Sequence, residues 1–372
     1  MFEFASRGTP CVPLHEGGTN RHVRAITVVP GDEASAGLSD LPEPEPGPGD
    51  LLVEPLLLGV CGTDREIVEG VHGEPPEGAA RLVLGHELLG RVRTAPEGSG
   101  FGEGDLVAGI VRRPDPEPCA CCARGEWDMC RNGLYTERGI KRRNGFGAEL
   151  IVLEADFAVG VAPALGELGV LTEPASILAK AWEQIERIGG RACSDHRVAL
   201  VTGAGPIGLL AALMGVQRGF EVHVLDRVDE GLKPELVRGL GAGYHTGPVV
   251  PLCKRINPDV IVECTGVAQL VIDAMQHNAP GAIVCLTGVA PSRELSIDVG
   301  ALNNAVVLEN DVVFGSVNAN HRHFEQAGAA LAQANPAWLE RLITRRVPLE
   351  RWRDALEKGE DDIKVVVEFP AR

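Results

Sequence analysis

The run Arg197-Val198-Ala199-Leu200-Val201-Thr202-Gly203-Ala204-Gly205-Pro206-Ile207-Gly208-Leu209-Leu210 decides how this chain is read. An apolar strand pattern breaks into glycines and resumes as an apolar helix pattern, the form of a β-turn-α unit that receives a dinucleotide. Gly203 permits the tight turn, Gly205 lets a pyrophosphate approach the backbone, and Gly208 lets helix and strand pack closely. Pro206 and Ile207 lie between these glycines and count with them as cofactor-binding residues. Phosphate oxygens would meet free N–H groups at the helix start. A lone glycine fingerprint is weak, and a merely tight turn is its plain alternative. Here a second apolar strand, residues 221–225, follows at the right distance and ends in Asp226, placed to accept hydrogen bonds from ribose hydroxyls.

At 372 residues the chain exceeds one typical core, so two domains are expected. A net charge of −17 argues against nucleic acid or an anionic membrane as the main partner, because both need a basic surface. No stretch approaches the roughly 18 consecutive apolar residues of a membrane span, and the first residues carry neither a basic start nor an apolar signal core. A cytoplasmic location is expected. Residues 1–23 read as an extension, with disorder expected up to about Asn20.

From Arg24 onward, short apolar runs are punctuated by Gly and Pro, as in Leu51-Leu52-Val53-Glu54-Pro55-Leu56-Leu57-Leu58; this predicts a β-rich domain over residues 24–174. From Pro174 the pattern alternates helix and strand, which predicts a doubly wound parallel sheet over residues 175–315. Helix is expected at residues 324–333 and 336–343. The closing run Ile363-Lys364-Val365-Val366-Val367-Glu368-Phe369 has strand character, so residues 316–372 are expected to return to the first domain. Residues 305–308 and 312–314 read as strands able to extend a sheet into a partner, which predicts a homodimer or homotetramer.

Upstream of the glycine unit, Cys61-Gly62-Thr63-Asp64 and Leu84-Gly85-His86-Glu87 each set a metal-ligand type beside a glycine at the end of an apolar run. Glu173 sits where the first domain hands over to the second. Thiolate, imidazole and carboxylate suit zinc, and a catalytic site needs about three protein ligands with one open position. Singly, each has a plain alternative: a core cysteine, a hydrogen-bonded histidine, a helix-capping acid. Thr63 is placed to relay a proton, or to bond its own turn. Asp64 could orient a ligand or cap a helix. Of the ten cysteines, Cys119, Cys121, Cys122 and Cys130 are packed together, which favours metal over disulfides in a chain of this kind. Cys11, Cys193, Cys253, Cys264 and Cys285 read as ordinary small residues.

These separated motifs, with Thr172-Glu173-Pro174 and Gly315-Ser316-Val317-Asn318-Ala319-Asn320, resemble the zinc-containing medium-chain alcohol and polyol dehydrogenases, and within them the microbial glucose dehydrogenase branch. The likeness runs from about Arg24 to Phe369. It implies a GroES-like catalytic domain joined to a Rossmann domain, and a catalytic zinc held by Cys61, His86 and Glu87, with Glu173 in the site directly or through water. The family's second metal lobe carries four thiolates spaced Cys-x2-Cys-x2-Cys-x7-Cys. Here Cys119, Cys122 and Cys130 match the last three and Pro116 takes the first place, leaving Cys121, Asp115 or Asp128 as candidates for the fourth ligand.

The stretch Tyr135-Thr136-Glu137-Arg138-Gly139-Ile140 resembles the branch's sugar-pocket segment, which makes Glu137 the candidate sugar acceptor; a surface carboxylate is its plain alternative. Asn318 and Glu173 would line the same polar wall. Asp226 favours NAD, whereas Arg227 beside it can pair with a 2′-phosphate, so NADP is the alternative. Thr265, Thr287 and Asn318 complete the cofactor candidates. His321 and His323 read as surface residues. The expected reaction is oxidation of an aldose at its anomeric carbon to the lactone. A polyol or secondary-alcohol dehydrogenase would share the metal and cofactor residues. A non-catalytic nucleotide sensor would not need Cys61 or His86.

Overall fold

The strand Asp50–Val60 organises the first domain. It is apolar at nearly every position because it lies inside a seven-stranded sheet, between Glu87–Thr94 and Lys364–Glu368. The computed structural model describes residues 21–193, 195–289, 293–357 and 359–371. Cys11 and the first twenty residues of the expected extension lie outside them.

Lys364–Glu368 pairs antiparallel with Asp50–Val60, Val366 opposite Gly59, and parallel with Ile343–Pro348. The end of the chain is thus built into the sheet that its beginning started. The helix expected at residues 336–343 spans only Pro336–Glu340. Ile343 instead opens a strand, because its backbone is taken up by the pairing with the closing run. A core of Ile26, Leu51, Leu82, Phe146 and Val367 fills this domain.

The second domain holds six parallel strands. Val198–Thr202 lies at the centre, between Glu221–Leu225 and Val260–Glu263. Gly243–His245 closes one edge; Ile283–Leu286 and then Val312–Gly315 complete the other. The order reverses direction at the central strand, which opens a crevice at its carboxyl end where the glycine turn sits.

Residues 305–308 are not a strand. They lie in the helix Val299–Glu309, framed by Asp298, whose side chain accepts from the Ala301 N–H at 3.0 Å, and by Asn310 in the left-handed region at φ 60°. A four-residue apolar run cannot distinguish strand from helix, whereas caps at both ends can.

The helix Thr172–Gly189 joins the two domains. Its Leu178 and Trp182 share one core with Leu57, Leu89 and Ile110 of the first domain and Val201 and Leu209 of the second. Trp182 is fully buried and satisfies its indole N–H on the Ala211 carbonyl at 3.2 Å. Glu173, in the first turn of this helix, is therefore fixed relative to both sheets.

Candidate active site

Cys61 ends the central strand of the first domain and caps the short helix Gly62–Val68. Its sulfur accepts from the Thr63 N–H at 3.3 Å, while Asp64 Oδ2 accepts from the Cys61 N–H at 3.0 Å. This reciprocal cap aims the thiol and the Asp64 carboxylate into the same space. His86 arrives from the loop before Glu87–Thr94, with Gly85 at φ +92° just ahead of it. The sulfur of Cys61 and Nε2 of His86 meet at 3.2 Å. On the other side of the ring, Nδ1 faces Asp64 Oδ1 at 3.4 Å, and both atoms are buried without a full hydrogen bond.

A soft and a borderline donor converging in a buried place, with a carboxylate behind the imidazole, fit zinc and its usual supporting shell. Burial opposes the charge on His86, but Asp64 and Cys61 outweigh it and raise its pKa well above the ordinary histidine value. Thr63 is half-buried at the first turn of the helix.

Glu87 lies outside this three-residue group. Both of its oxygens accept from the buried ammonium of Lys364, at 2.7 and 2.6 Å. The carboxylate has room because its cross-strand partner is Gly59, where a Cβ would stand 2.0 Å from Glu87 Oε2. Glu173 is also outside the group. Burial, then the nearby charge of Glu87, push its carboxyl up to about 7.

At the nucleotide crevice each glycine is needed for its own reason. Gly203 has φ +91°, a Cβ on Gly208 would lie 1.7 Å from the Gly203 carbonyl oxygen, and a Cβ on Gly205 would meet none of the described atoms within 4 Å. The open space lies at Gly205, the N-cap of the helix Pro206–Gln217, where a phosphate needs close backbone approach. Pro206 and Ile207 form the first turn of that helix.

Asp226 is tied down at both oxygens. Oδ2 accepts from the Ala204 N–H at 2.5 Å and lies 3.9 Å from Lys233 Nζ, while Oδ1 accepts from the Arg227 N–H at 2.6 Å. Arg227 is an exposed residue. Thr265 and Thr287 converge on the fully buried Glu263, the last residue of the strand Val260–Glu263. Its Oε1 accepts from the Thr265 N–H at 2.9 Å and from both the Thr265 and Thr202 hydroxyls; its backbone carbonyl accepts from Thr287 at 2.9 Å.

Between the domains, Asn318 Nδ2 donates to Glu137 Oε1 at 2.8 Å. Asn318 holds a left-handed φ of 62°, which asparagine tolerates better than most residues, and its own Oδ1 accepts from the Ala319 N–H. The structure thus brings together Glu137 and Asn318, two of the three residues expected to bind sugar.

The sulfurs of Cys119, Cys122 and Cys130 form the second cluster, all within 4.8 Å of one another. No fourth ligand joins them among the described residues. Asp128 points instead to Lys180 at 2.8 Å and Asn320 at 2.9 Å, and Asp115 bonds Asn132 and the Glu117 N–H. Backbone N–H groups of Cys122 and Arg131 draw the Cys119 thiol down to about 6, while burial raises Cys122 to about 11. Three thiol sulfurs converging in one place are a donor set that suits zinc.

Of the two histidines expected at the surface, His321 is half-buried and His323 is fully buried. Its Nδ1 accepts from the Asn320 N–H at 3.1 Å and its other nitrogen faces Glu183 at 3.4 Å, because the helix His321–Gln333 packs this face on Thr172–Gly189. Burial and the adjacent Arg322 push its pKa down to about 4.

Comparison with known proteins identifies both domains. Residues 47–163 match the alcohol dehydrogenase GroES-like domain, and residues 166–369 match the family described as the glucose dehydrogenase C-terminus. The glucose 1-dehydrogenase of Thermoproteus tenax is 42% identical over 354 residues, covering 93% of this chain and 99% of that protein. That of Methanocella arvoryzae is 39% identical over 359 residues, covering 94% and 100%. Among solved structures, the Haloferax mediterranei glucose dehydrogenase in complex with NADP, zinc and gluconolactone superposes with a TM-score of 0.86 at 33% identity, covering 94% of this chain and all of that one. With both domains matched in order along nearly the whole described length, the chain belongs to the glucose dehydrogenase family of the alcohol dehydrogenases.

Proposed function

We propose that this protein oxidises an aldose of the glucose class at its anomeric carbon, giving the lactone and reduced NAD(P). The observation that carries the reading is the 3.2 Å meeting of the Cys61 thiol and the His86 imidazole, backed by Asp64. Cys61 and His86 would hold a zinc ion, which would supply a Lewis acid that lowers the pKa of a substrate hydroxyl. Asp64 keeps the His86 ring oriented through Nδ1, leaving Nε2 for the metal. Glu173 would complete the donor set directly or through water, and Glu87, whose oxygens both accept from Lys364, would join through a remaining lone pair. Thr63 passes the hydroxyl proton toward solvent. Glu137 and Asn318 bind sugar hydroxyls, and the Gly203–Gly208 turn seats the cofactor pyrophosphate.

The cysteine lobe we assign to a second, structural zinc at Cys119, Cys122 and Cys130. No described helix is long and apolar enough to cross a membrane. A cytoplasmic setting is proposed from the clustered lobe thiols, which favour metal binding over disulfides. A homodimer or homotetramer is proposed through the edge strand Val312–Gly315 and the helix Val299–Glu309 that precedes it, where Val299, Val307 and Leu308 are 64%, 61% and 73% exposed. Light scattering giving a monomer at micromolar concentration would remove that assignment.

The deciding experiment pairs two variants. His86→Ala should lose the catalytic metal and turnover together, whereas Glu137→Gln should keep metal and cofactor affinity and weaken only sugar use. Full turnover in His86→Ala would contradict the reading.

A further inference from the structure

Arg112 is 6% exposed, and nothing in the proposed chemistry uses it. It stands on the two-residue strand Arg112–Arg113, directly opposite Glu137 of Thr136–Arg138. Its Nε and Nη2 donate to Glu137 Oε1 at 3.1 and 3.0 Å, and its Nη1 donates to the Asp128 carbonyl at 3.1 Å. The Tyr135 ring lies 3.7 Å from the guanidinium carbon and fixes the plane of the fork. With Asn318 Nδ2 added, three donors converge on Oε1, more than its lone pairs accept well. The unsaturated oxygen of Glu137 is therefore Oε2.

The far end of this strut is buried and multiply bonded. Asp128 is clamped by Lys180 at 2.8 Å, with side-chain exposures of 1% and 3%, and by Asn320 at 2.9 Å. Lys180 in turn donates to the Val317 carbonyl at 2.9 Å, one residue before Asn318. The cysteine lobe, the joining helix and the sugar wall are thus linked through buried charge-assisted bonds.

We infer that Arg112 is a positioning residue for substrate specificity: it locks Glu137 Oε1 to the lobe so that Oε2 is presented in one orientation to an aldose hydroxyl. This rests on the reading of Glu137 as a sugar acceptor. Lysine in place of Arg112 would keep the charge but lose the fork that bonds an oxygen and a carbonyl together.

The test is glucose binding to enzyme saturated with NADPH, a pair between which no hydride can pass, measured by calorimetry for the parent, Arg112→Lys, Glu137→Gln and the double variant. Glu137→Gln should weaken glucose roughly tenfold or more, and Arg112→Lys by a similar factor. The double variant should be no weaker than Glu137→Gln alone, because Arg112 acts through Glu137. In turnover the KM for glucose should rise while kcat and the KM for NADP hold. Unchanged glucose affinity in Arg112→Lys beside a weakened Glu137→Gln overturns the inference and leaves the sugar wall standing. Full additivity in the double variant overturns it as well, since a merely structural arginine would add. A silent Glu137→Gln removes the sugar wall and the inference with it. Should Arg112→Lys not fold, Tyr135→Leu takes its place in the cycle with the same expected non-additivity.

Discussion

Replacing Lys364 with methionine removes the charge from a side chain that is 1% exposed and keeps most of its volume. Burial opposes the ammonium, but Glu87 and Cys61 outweigh it and raise the pKa above the ordinary lysine value, so Lys364 is charged at pH 7. The substitution strands a carboxylate that is itself only 2% exposed. Breaking a buried pair from one side costs about 3–5 kcal/mol. At roughly 2.1 cal/mol/K of unfolding entropy per residue, the 372-residue chain loses about 1.3 °C of melting temperature per kcal/mol, or about 4–6 °C in all. Scanning calorimetry at pH 7 reads this directly. Adding Glu87→Gln should restore at least half of the loss, because the second change removes the orphaned charge. A Lys364→Met protein that melts within about 1 °C of the parent, or a double variant that falls further by the full independent cost of Glu87→Gln, would refute the reasoning.

Asp226→Ala should weaken NAD by roughly tenfold to a hundredfold in a fluorescence titration with the reduced cofactor, since it also frees the Ala204 N–H of the glycine turn. NADP should suffer less, because Lys233, 3.9 Å away, then has no carboxylate partner there; a larger loss for NADP would contradict this. Hydrogen bonds from Arg322 and Gln326 outweigh burial and hold Glu183 down at about 2, below the ordinary 4.5. A depressed carboxylate contributes stability above its unfolded pKa and loses it as the pH falls through the folded one, so melting temperature should drop between about pH 4.5 and 2, and Glu183→Gln should flatten that decline. Cys122→Ala should lower the zinc content by one per chain while kcat stays within about threefold.

The glycine turn was legible because each glycine answers to a local geometric demand. Gly203 needs a positive φ and Gly208 has no space for a Cβ, and both facts follow from the strand-turn-helix pattern alone. Cys61, Asp64 and His86 were legible as residue types, and the capping box that aims two of them is also local.

What stayed hidden depends on partners far apart in sequence. Lys364 stands out as a charge inside Ile363-Lys364-Val365-Val366-Val367, but Glu87 is 277 positions away and meets it only through the sheet register. Asp128 looked like a spare metal ligand until Lys180 and Asn320, from two other segments, took its oxygens. His323 is polar and near a chain turn, yet helix packing encloses it, a tertiary effect that its neighbours do not announce. Residues 305–308 failed for another reason: so short a run carries no period, and the caps at Asp298 and Asn310 held the missing information.

The most direct test of the central claim is steady-state turnover by the zinc-loaded enzyme on a panel of glucose, galactose, xylose, sorbitol and simple alcohols, with NAD and with NADP. An acceptor wall of Glu137 and Asn318 beside the Cys61–His86 centre predicts that an aldose has the highest kcat/KM, that its product is the lactone, and that Glu137→Gln lowers kcat/KM for the aldose while leaving simple alcohols unaffected. Faster turnover of sorbitol or a simple secondary alcohol than of every aldose, with Glu137→Gln indifferent, would contradict it.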